Sequence, residues 1–126
     1  MPAGDGFSPS QRLQIDKAIR HAETSCRYEF SVYVGPVEGE PREYAERLHS
    51  ALVAPARSVL ILVDPVGRAM EVVTGEEVRR HLDDKSVRLA LVEMESQFVH
   101  DDLVGGIVRG INNLANCARK PRTLHA

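Results

Sequence analysis

The feature that most constrains the fold is the aliphatic run RSVLILVD at residues 57–64. The run has the length of a strand, and its interior contains no polar residue that could face water. A strand of this composition is typical of the centre of an α/β sheet, where other elements cover both faces. The run therefore predicts an internal strand with helices on either side.

The segments before this strand predict a β-α-β unit preceded by a helix. The first helix begins at Ser8-Pro9, because Ser8 can cap it, proline suits the first turn and Gln11 completes a capping box. Its apolar stripe contains Leu13, Ile15, Ala18, Ile19, Ala22 and Cys26. A strand at 28–35 and a helix opening at Pro41 follow, which leaves room for a right-handed parallel crossover.

Asp64 ends the aliphatic run, where many α/β enzymes hold a catalytic acid. It also opens DPVG (64–67), the residue set of a type I turn, with Asp first, Pro second and Gly fourth. RAMEVVTG (68–75) then returns as a strand. The simpler interpretation is that Asp64 forms the turn of a β-hairpin, although a role in chemistry stays open.

Three helices are predicted after Gly75. EEVRRHL (76–82) indicates a short one, and a longer one has Val87, Leu91, Met94 and Phe98 at helical spacing. The last begins at His100-Asp101-Asp102 and ends near Ala118. The predicted fold is one α/β domain over residues 1–118, a small mixed sheet of about three to four strands sandwiched by helices, in the order α-β-α-β-β-α-α-α. Residues 119–126 are predicted to form a polar, mobile tail.

Composition and motifs exclude several classes of function. The net charge of −2 gives no general attraction to nucleic acid, and no segment has the length and apolar content of a membrane span. The N-terminus has no secretory pattern, and Cys26 and Cys117 lack metal-type spacing, so we expect reduced, buried thiols and a cytoplasmic location. The chain contains no P-loop, dinucleotide fingerprint or nucleophile elbow, which favours a non-enzymatic protein without a cofactor.

Two acidic groups, Asp83-Asp84 and His100-Asp101-Asp102, flank the predicted long helix. Clustered carboxylates of this kind can bind calcium. Helix capping explains both groups equally well, and a helix of about sixteen residues would hold them roughly 24 Å apart. Capping is therefore the main interpretation, and the alternative is a divalent-metal site, with possible calcium, at Asp101, Asp102 and Asp64.

The last predicted helix also carries a stripe of small residues, formed by Gly106, Gly110, Asn113 and Cys117. Glycine lets another backbone approach closely. The stripe therefore predicts a close helix contact, with a homodimer through Gly106 and Gly110 as one possibility.

Four segments together resemble the TPM domain, over about residues 30–118. They are FSVYVG, SVLILVDPVGRAMEVVTG, LDDKSVRLALVEMESQF and HDDLVGGIVRGINNLA. The chain looks like the short, soluble bacterial versions known only as domains of unknown function. The likeness gives weight to Phe98, Asp101 or Asp102, Gly106 and Gly110.

This resemblance implies an α/β sandwich around a mixed sheet. Among TPM domains, some are described as weak acid phosphatases, some bind calcium, and others act in assembly or repair. The family's Asp-Asn-Gly and Gly-Tyr-Gly segments are replaced here by APARS (54–58) and VVTGEE (72–77). The expected function is therefore a non-enzymatic interaction or accessory module with a protein partner. The alternative is a weak divalent-metal-dependent phosphatase or hydrolase.

Overall fold

A computed structural model describes residues 7–119 as a three-stranded sheet with four α-helices. The elements are α1 (Pro9–Cys26), β1 (Glu29–Val34), α2 (Pro41–Ser50), β2 (Ser58–Asp64), β3 (Ala69–Thr74), α3 (Asp84–Val99) and α4 (Leu103–Ala118). The predicted α/β class, mixed sheet and order are confirmed. One detail differs, since Val78–Arg80 forms a 3-10 turn where a short α-helix is predicted.

The sheet has the order β1-β2-β3, with β2 at its centre. β1 and β2 are parallel, whereas β2 and β3 form the antiparallel hairpin. Every residue of β2 is buried, as its aliphatic composition predicts. Val32, Ile61 and Val72 are aligned across the three strands and face the same side of the sheet.

The helices cover the two faces of the sheet unequally. On one face, α1, α3 and α4 enclose the larger core with the side chains of Val59, Ile61, Val63 and Val72. On the other, α2 encloses a smaller core around Ala45, Leu60, Leu62 and Val73. Within the larger layer α4 packs against both α1 and α3, so α1 and α3 lie at its two sides.

The start of α1 has the predicted capping geometry. The Ser8 hydroxyl accepts the Gln11 N–H at 3.2 Å, and the Gln11 side chain accepts the Ser8 N–H at 2.9 Å. The predicted apolar stripe is wrong at Leu13, which is 49% exposed. The buried residues of α1 are only Ile15, Ala18, Ala22 and Cys26, because α1 contacts the core along one narrow side.

The small residues of α4 pack against α3 of the same chain. A Cβ atom added to Gly106 would lie 2.3 Å from the Phe98 ring, and one added to Gly110 would lie 2.4 Å from the Met94 sulfur. These glycines are therefore covered and cannot contact a second chain, so the surface expected for a homodimer is already occupied. A homodimer as such stays a prediction.

The two cysteines differ from each other. Cys26 is buried, as predicted, whereas Cys117 is exposed because it lies on the outer side of the last turn of α4. Both are free thiols. The predicted tail falls outside the described residues except for Arg119. Over residues 7–119, no helix is long and apolar enough to cross a bilayer.

Candidate functional site

Asp64 is held in place by backbone amides from two loops. Its side chain is almost buried, with 8% exposed. One carboxylate oxygen accepts the Gly67 N–H at 2.9 Å within the hairpin turn, and the other accepts the Val37 N–H at 3.2 Å in the loop after β1. Each oxygen therefore has a structural partner, which supports the turn-forming interpretation and extends it to a link between two loops.

An open groove of about 1220 Å³ begins beside Asp64 and runs between the β2–β3 hairpin and α3. Its strand side is formed by Ala69, Met70 and Glu71, and its helix side by Leu91, Val92, Glu95, Phe98 and Val99. Val92 and Val99 are 63% and 76% exposed. The groove thus presents apolar side chains of α3 to solvent beside an edge strand.

Charged side chains lie at the rim of this groove. Glu95 projects from the middle of α3, Asp101 follows the end of α3, and Arg68 lies at the hairpin turn. Within the described part of the chain, the side chains of these three residues form no hydrogen bond or ion pair. Asp101 adopts a left-handed backbone conformation with φ 58°, a region that Asp tolerates better than most residues.

The structure does not bring the three predicted metal ligands together as one group. Asp64 and Asp101 border the same groove, whereas Asp102 caps α4 by accepting the Gly105 N–H at 3.0 Å. Asp83 caps α3 in the same way, and this bond from the Ser86 amide lowers its pKa. No group of three His, Cys, Asp or Glu side chains placed to hold a metal ion occurs in residues 7–119. A calcium site stays a prediction.

The free edge of β3 is partly covered by arginine side chains. The Arg42 guanidinium donates to the Val72 carbonyl at 2.9 Å and also pairs with Glu71 at 3.3 Å. The Arg79 guanidinium donates to the Thr74 carbonyl. Charged side chains at a sheet edge hinder its pairing with other chains. The edge is therefore blocked at its Val72–Thr74 end and open at Met70, beside the groove.

A tyrosine pair lies near the same ends of β1 and β2, on the side of α2. The hydrogen bond to the Tyr44 hydroxyl, aided by burial and by the Asp64 charge, raises the pKa of Tyr33 to about 12. The Tyr33 hydroxyl donates to the Pro36 carbonyl at 2.6 Å. This bond ties the tyrosine pair to the loop after β1.

The sequence did not predict the groove as a surface, although Asp64 and Asp101 at its border are predicted as possible metal ligands, because its residues belong to distant segments. Met70 lies on a strand and Val92 on a helix, and no local spacing connects them. One signal was present: the apolar side chains of α3, including Leu89, Val92 and Val99, exceed what one buried stripe requires.

The curated relatives of this chain are uncharacterised mycobacterial proteins. Uncharacterized protein Rv2468c and Uncharacterized protein MT2543, from two strains of Mycobacterium tuberculosis, are each 26% identical over 109 residues. The matches cover 86% of this chain and 65% of each relative. This chain thus spans about two-thirds of the length of the relatives it matches.

Solved structures share the fold at low sequence identity. The BA42 protein of Bizionia argentinensis matches with a TM-score of 0.80 and 19% identity, covering 89% of this chain and 81% of that one. The N-terminal domain of the cg2496 protein of Corynebacterium glutamicum matches with a TM-score of 0.75 and 14% identity, covering 95% and 81%. The N-terminal domain of a P. gingivalis protein gives 0.74 and 18%, covering 92% and 78%.

A family model resolves the question of membership. The model that matches describes a domain of unknown function, DUF5130, and it covers residues 2–115. The predicted membership of the TPM family is wrong, because the model that matches this chain over residues 2–115 is that of DUF5130. The chain belongs to the DUF5130 family.

Proposed function

We propose that this domain is a non-enzymatic interaction module that binds a segment of a partner protein in the groove between α3 and the β2–β3 hairpin. The observation that carries the proposal is the exposure of Val92 and Val99 in the wall of that groove. Apolar side chains grouped in an open groove with a polar rim are typical of surfaces that bind other proteins.

The rival hypothesis is a weak divalent-metal-dependent hydrolase using Asp64, Asp101 and Asp102. It receives less support, because carboxylate oxygens of Asp64 and Asp102 already accept hydrogen bonds from backbone amides. It predicts that calcium, magnesium, manganese or zinc raises the melting temperature of the metal-free protein, and that Asp101→Asn abolishes the rise. A cytoplasmic location also remains a proposal, supported by two free thiols, which suit a reducing compartment.

Selection from a random twelve-residue peptide library displayed on phage tests the interaction proposal. The target is the whole chain, and the subtracting surface is the double variant Val92→Ser/Val99→Ser. Leu89→Ser is the matched control, because Leu89 is 62% exposed on the same helix but does not line the groove. We expect peptides that bind the parent and the control but not the double variant. Peptides that bind all three proteins equally, or no enrichment at all, would refute the proposal.

A further inference from the structure

We propose that the partner segment binds in extended conformation, pairs with the open edge of β3 at Met70, and places a lysine or arginine side chain toward Glu95 and Asp101. This inference rests on the proposed function and specifies its partner chemistry. It follows from the geometry of the strand edge, the width of the helix layer and the charges at the groove rim.

The register of the hairpin determines which backbone groups face outward. Gly75 donates its N–H to the Ser58 carbonyl, so every second residue of β3 counted from Gly75 is bonded to β2. Met70, Val72 and Thr74 therefore direct their N–H and C=O groups away from β2. The arginine contacts to Val72 and Thr74 agree with this assignment. At Met70, beside the groove, the outward N–H and C=O groups are both free to pair with an added strand.

The helix layer is wider than the sheet that it covers. Neighbouring strands lie roughly 5 Å apart and packed helices roughly 9 Å apart, so three strands span about 10 Å and three helices about 18 Å between outer axes. α3 lies on the β3 side of this layer and lines the groove together with β3, so the sheet covers α3 only in part. Leu91 and Phe98, which line the groove, are only partly buried. An added strand at β3 would cover them.

The arginine contacts limit the length of the added strand. Arg42 occupies the edge at the Val72 carbonyl, so pairing can extend from Met70 toward the hairpin turn and not toward Thr74. A peptide that pairs over so few positions needs side-chain contacts for affinity. Those contacts are available on Leu91, Val92 and Val99, which line the groove below the strand edge.

The charges at the rim favour a basic peptide over a second copy of this chain. Within the described part of the chain Glu95 and Asp101 are unpaired, as is Arg68 at the hairpin turn, whereas Glu71 is paired with Arg42. The two free carboxylates outnumber the single free arginine at the rim, so a cationic side chain beside α3 would gain an ion pair without breaking an existing one. A second copy pairing through the same edge would bring like carboxylates together and meet Arg42 on both strands, which opposes such pairing.

The peptides enriched in the phage selection are used to test this inference, first by their sequences and then by their binding. We expect alternating apolar residues with at least one lysine or arginine and no internal proline. In the ¹⁵N-labelled protein, the chosen peptide should slow hydrogen exchange of the Met70 amide at least tenfold. N-methylation of the peptide residue that pairs with Met70, and separately Glu95→Lys, should each weaken binding about tenfold, which corresponds to about 1.4 kcal/mol.

The outcomes separate this inference from the proposed function. Groove-dependent peptides that leave Met70 exchange unchanged and tolerate N-methylation, for example amphipathic helices, would overturn strand pairing but keep the interaction module. Peptides without basic residues, or indifferent to Glu95→Lys, would overturn the charge assignment. A selection without groove-dependent peptides would overturn both proposals. The variant Met70→Pro is a second check. It removes the outward N–H at an edge position where proline is tolerated, so it should weaken the binding of a peptide that pairs with Met70.

Discussion

Two helices of equal length, α3 and α4, differ sharply in what they bury. Each has sixteen residues. α4 buries eight of them, Val104, Gly106, Ile107, Gly110, Ile111, Leu114, Ala115 and Ala118, whereas α3 buries only Ala90 and Met94. The cause is position, because α4 has a helix on each side and α3 has one on a single side. Apolar composition alone therefore does not decide burial, and α3 keeps apolar side chains that the fold does not use.

The exposed apolar side chains of α3 add little to the stability of the domain, because most of their surface stays in contact with water. Where such side chains are grouped in one groove, they are typical of a binding surface. Val92 and Val99 line the groove, and Leu89 does not. We therefore infer that α4 mainly stabilises the domain and that the groove side of α3 serves recognition.

The largest expected effect is on α4. Ile111→Ala should lower the free energy of unfolding by about 2–5 kcal/mol, because Ile111 is fully buried and its truncation leaves a cavity. Leu89→Ala on α3 should stay within about 0.5 kcal/mol of the parent. Urea unfolding of both variants measures this contrast. Equal losses would show that the two helices contribute equally to the free energy of unfolding.

The next effect concerns the contact between the two helices. Gly106→Ala should destabilise by about 1–3 kcal/mol, since its methyl group would meet the Phe98 ring at 2.3 Å. The better helix propensity of alanine, worth about 1 kcal/mol, offsets part of this cost. Gly110→Ala should cost less, because the Met94 thioether can move away. A stabilised Gly106→Ala protein in urea unfolding would contradict the close packing.

Local sequence signals predicted most of the fold but not the groove. The capping box at Ser8 and the turn at Asp64 depend on neighbouring residues, so both could be identified from spacing alone. The stripe of Gly106 and Gly110 correctly indicated a close contact. Its spacing cannot tell a helix of the same chain from one of a second chain, and α3 proved to be the neighbour. The site depends on which helix lies at the side of the layer, a tertiary property that no local pattern contains.

A smaller effect is expected at Asp64, beside which the groove begins. Asp64→Asn should cost about 1–2 kcal/mol, because an amide offers one accepting oxygen where the carboxylate accepts from both Gly67 and Val37. Urea unfolding gives the magnitude, and amide exchange at Val37 shows whether the loop after β1 loosens. An unchanged Val37 amide would mean that this loop does not depend on Asp64.

The smallest expected effect is a change in the pKa of Tyr33, which lies on the opposite face of the sheet. This pKa should not respond to changes in α3. The pKa of Tyr33 is about 12, and Tyr44→Phe should lower it by removing the hydrogen bond that raises it most. A raised pKa favours the neutral phenol in the folded state. Its contribution to stability is therefore complete below the ordinary pKa near 10 and is lost as the pH rises toward 12. Absorbance titration measures the shift, and Val92→Glu should leave it unchanged.

The free energy of unfolding of the double variant Val92→Glu/Val99→Glu decides between a role in recognition and a role in folding for the groove side of α3. If the groove side of α3 serves recognition and not folding, two charges placed there should change the free energy of unfolding by less than about 0.5 kcal/mol each. Glutamate even has a somewhat better helix propensity than valine. A loss of about 2 kcal/mol or more would show that these side chains stabilise the domain itself, which would refute a role confined to recognition.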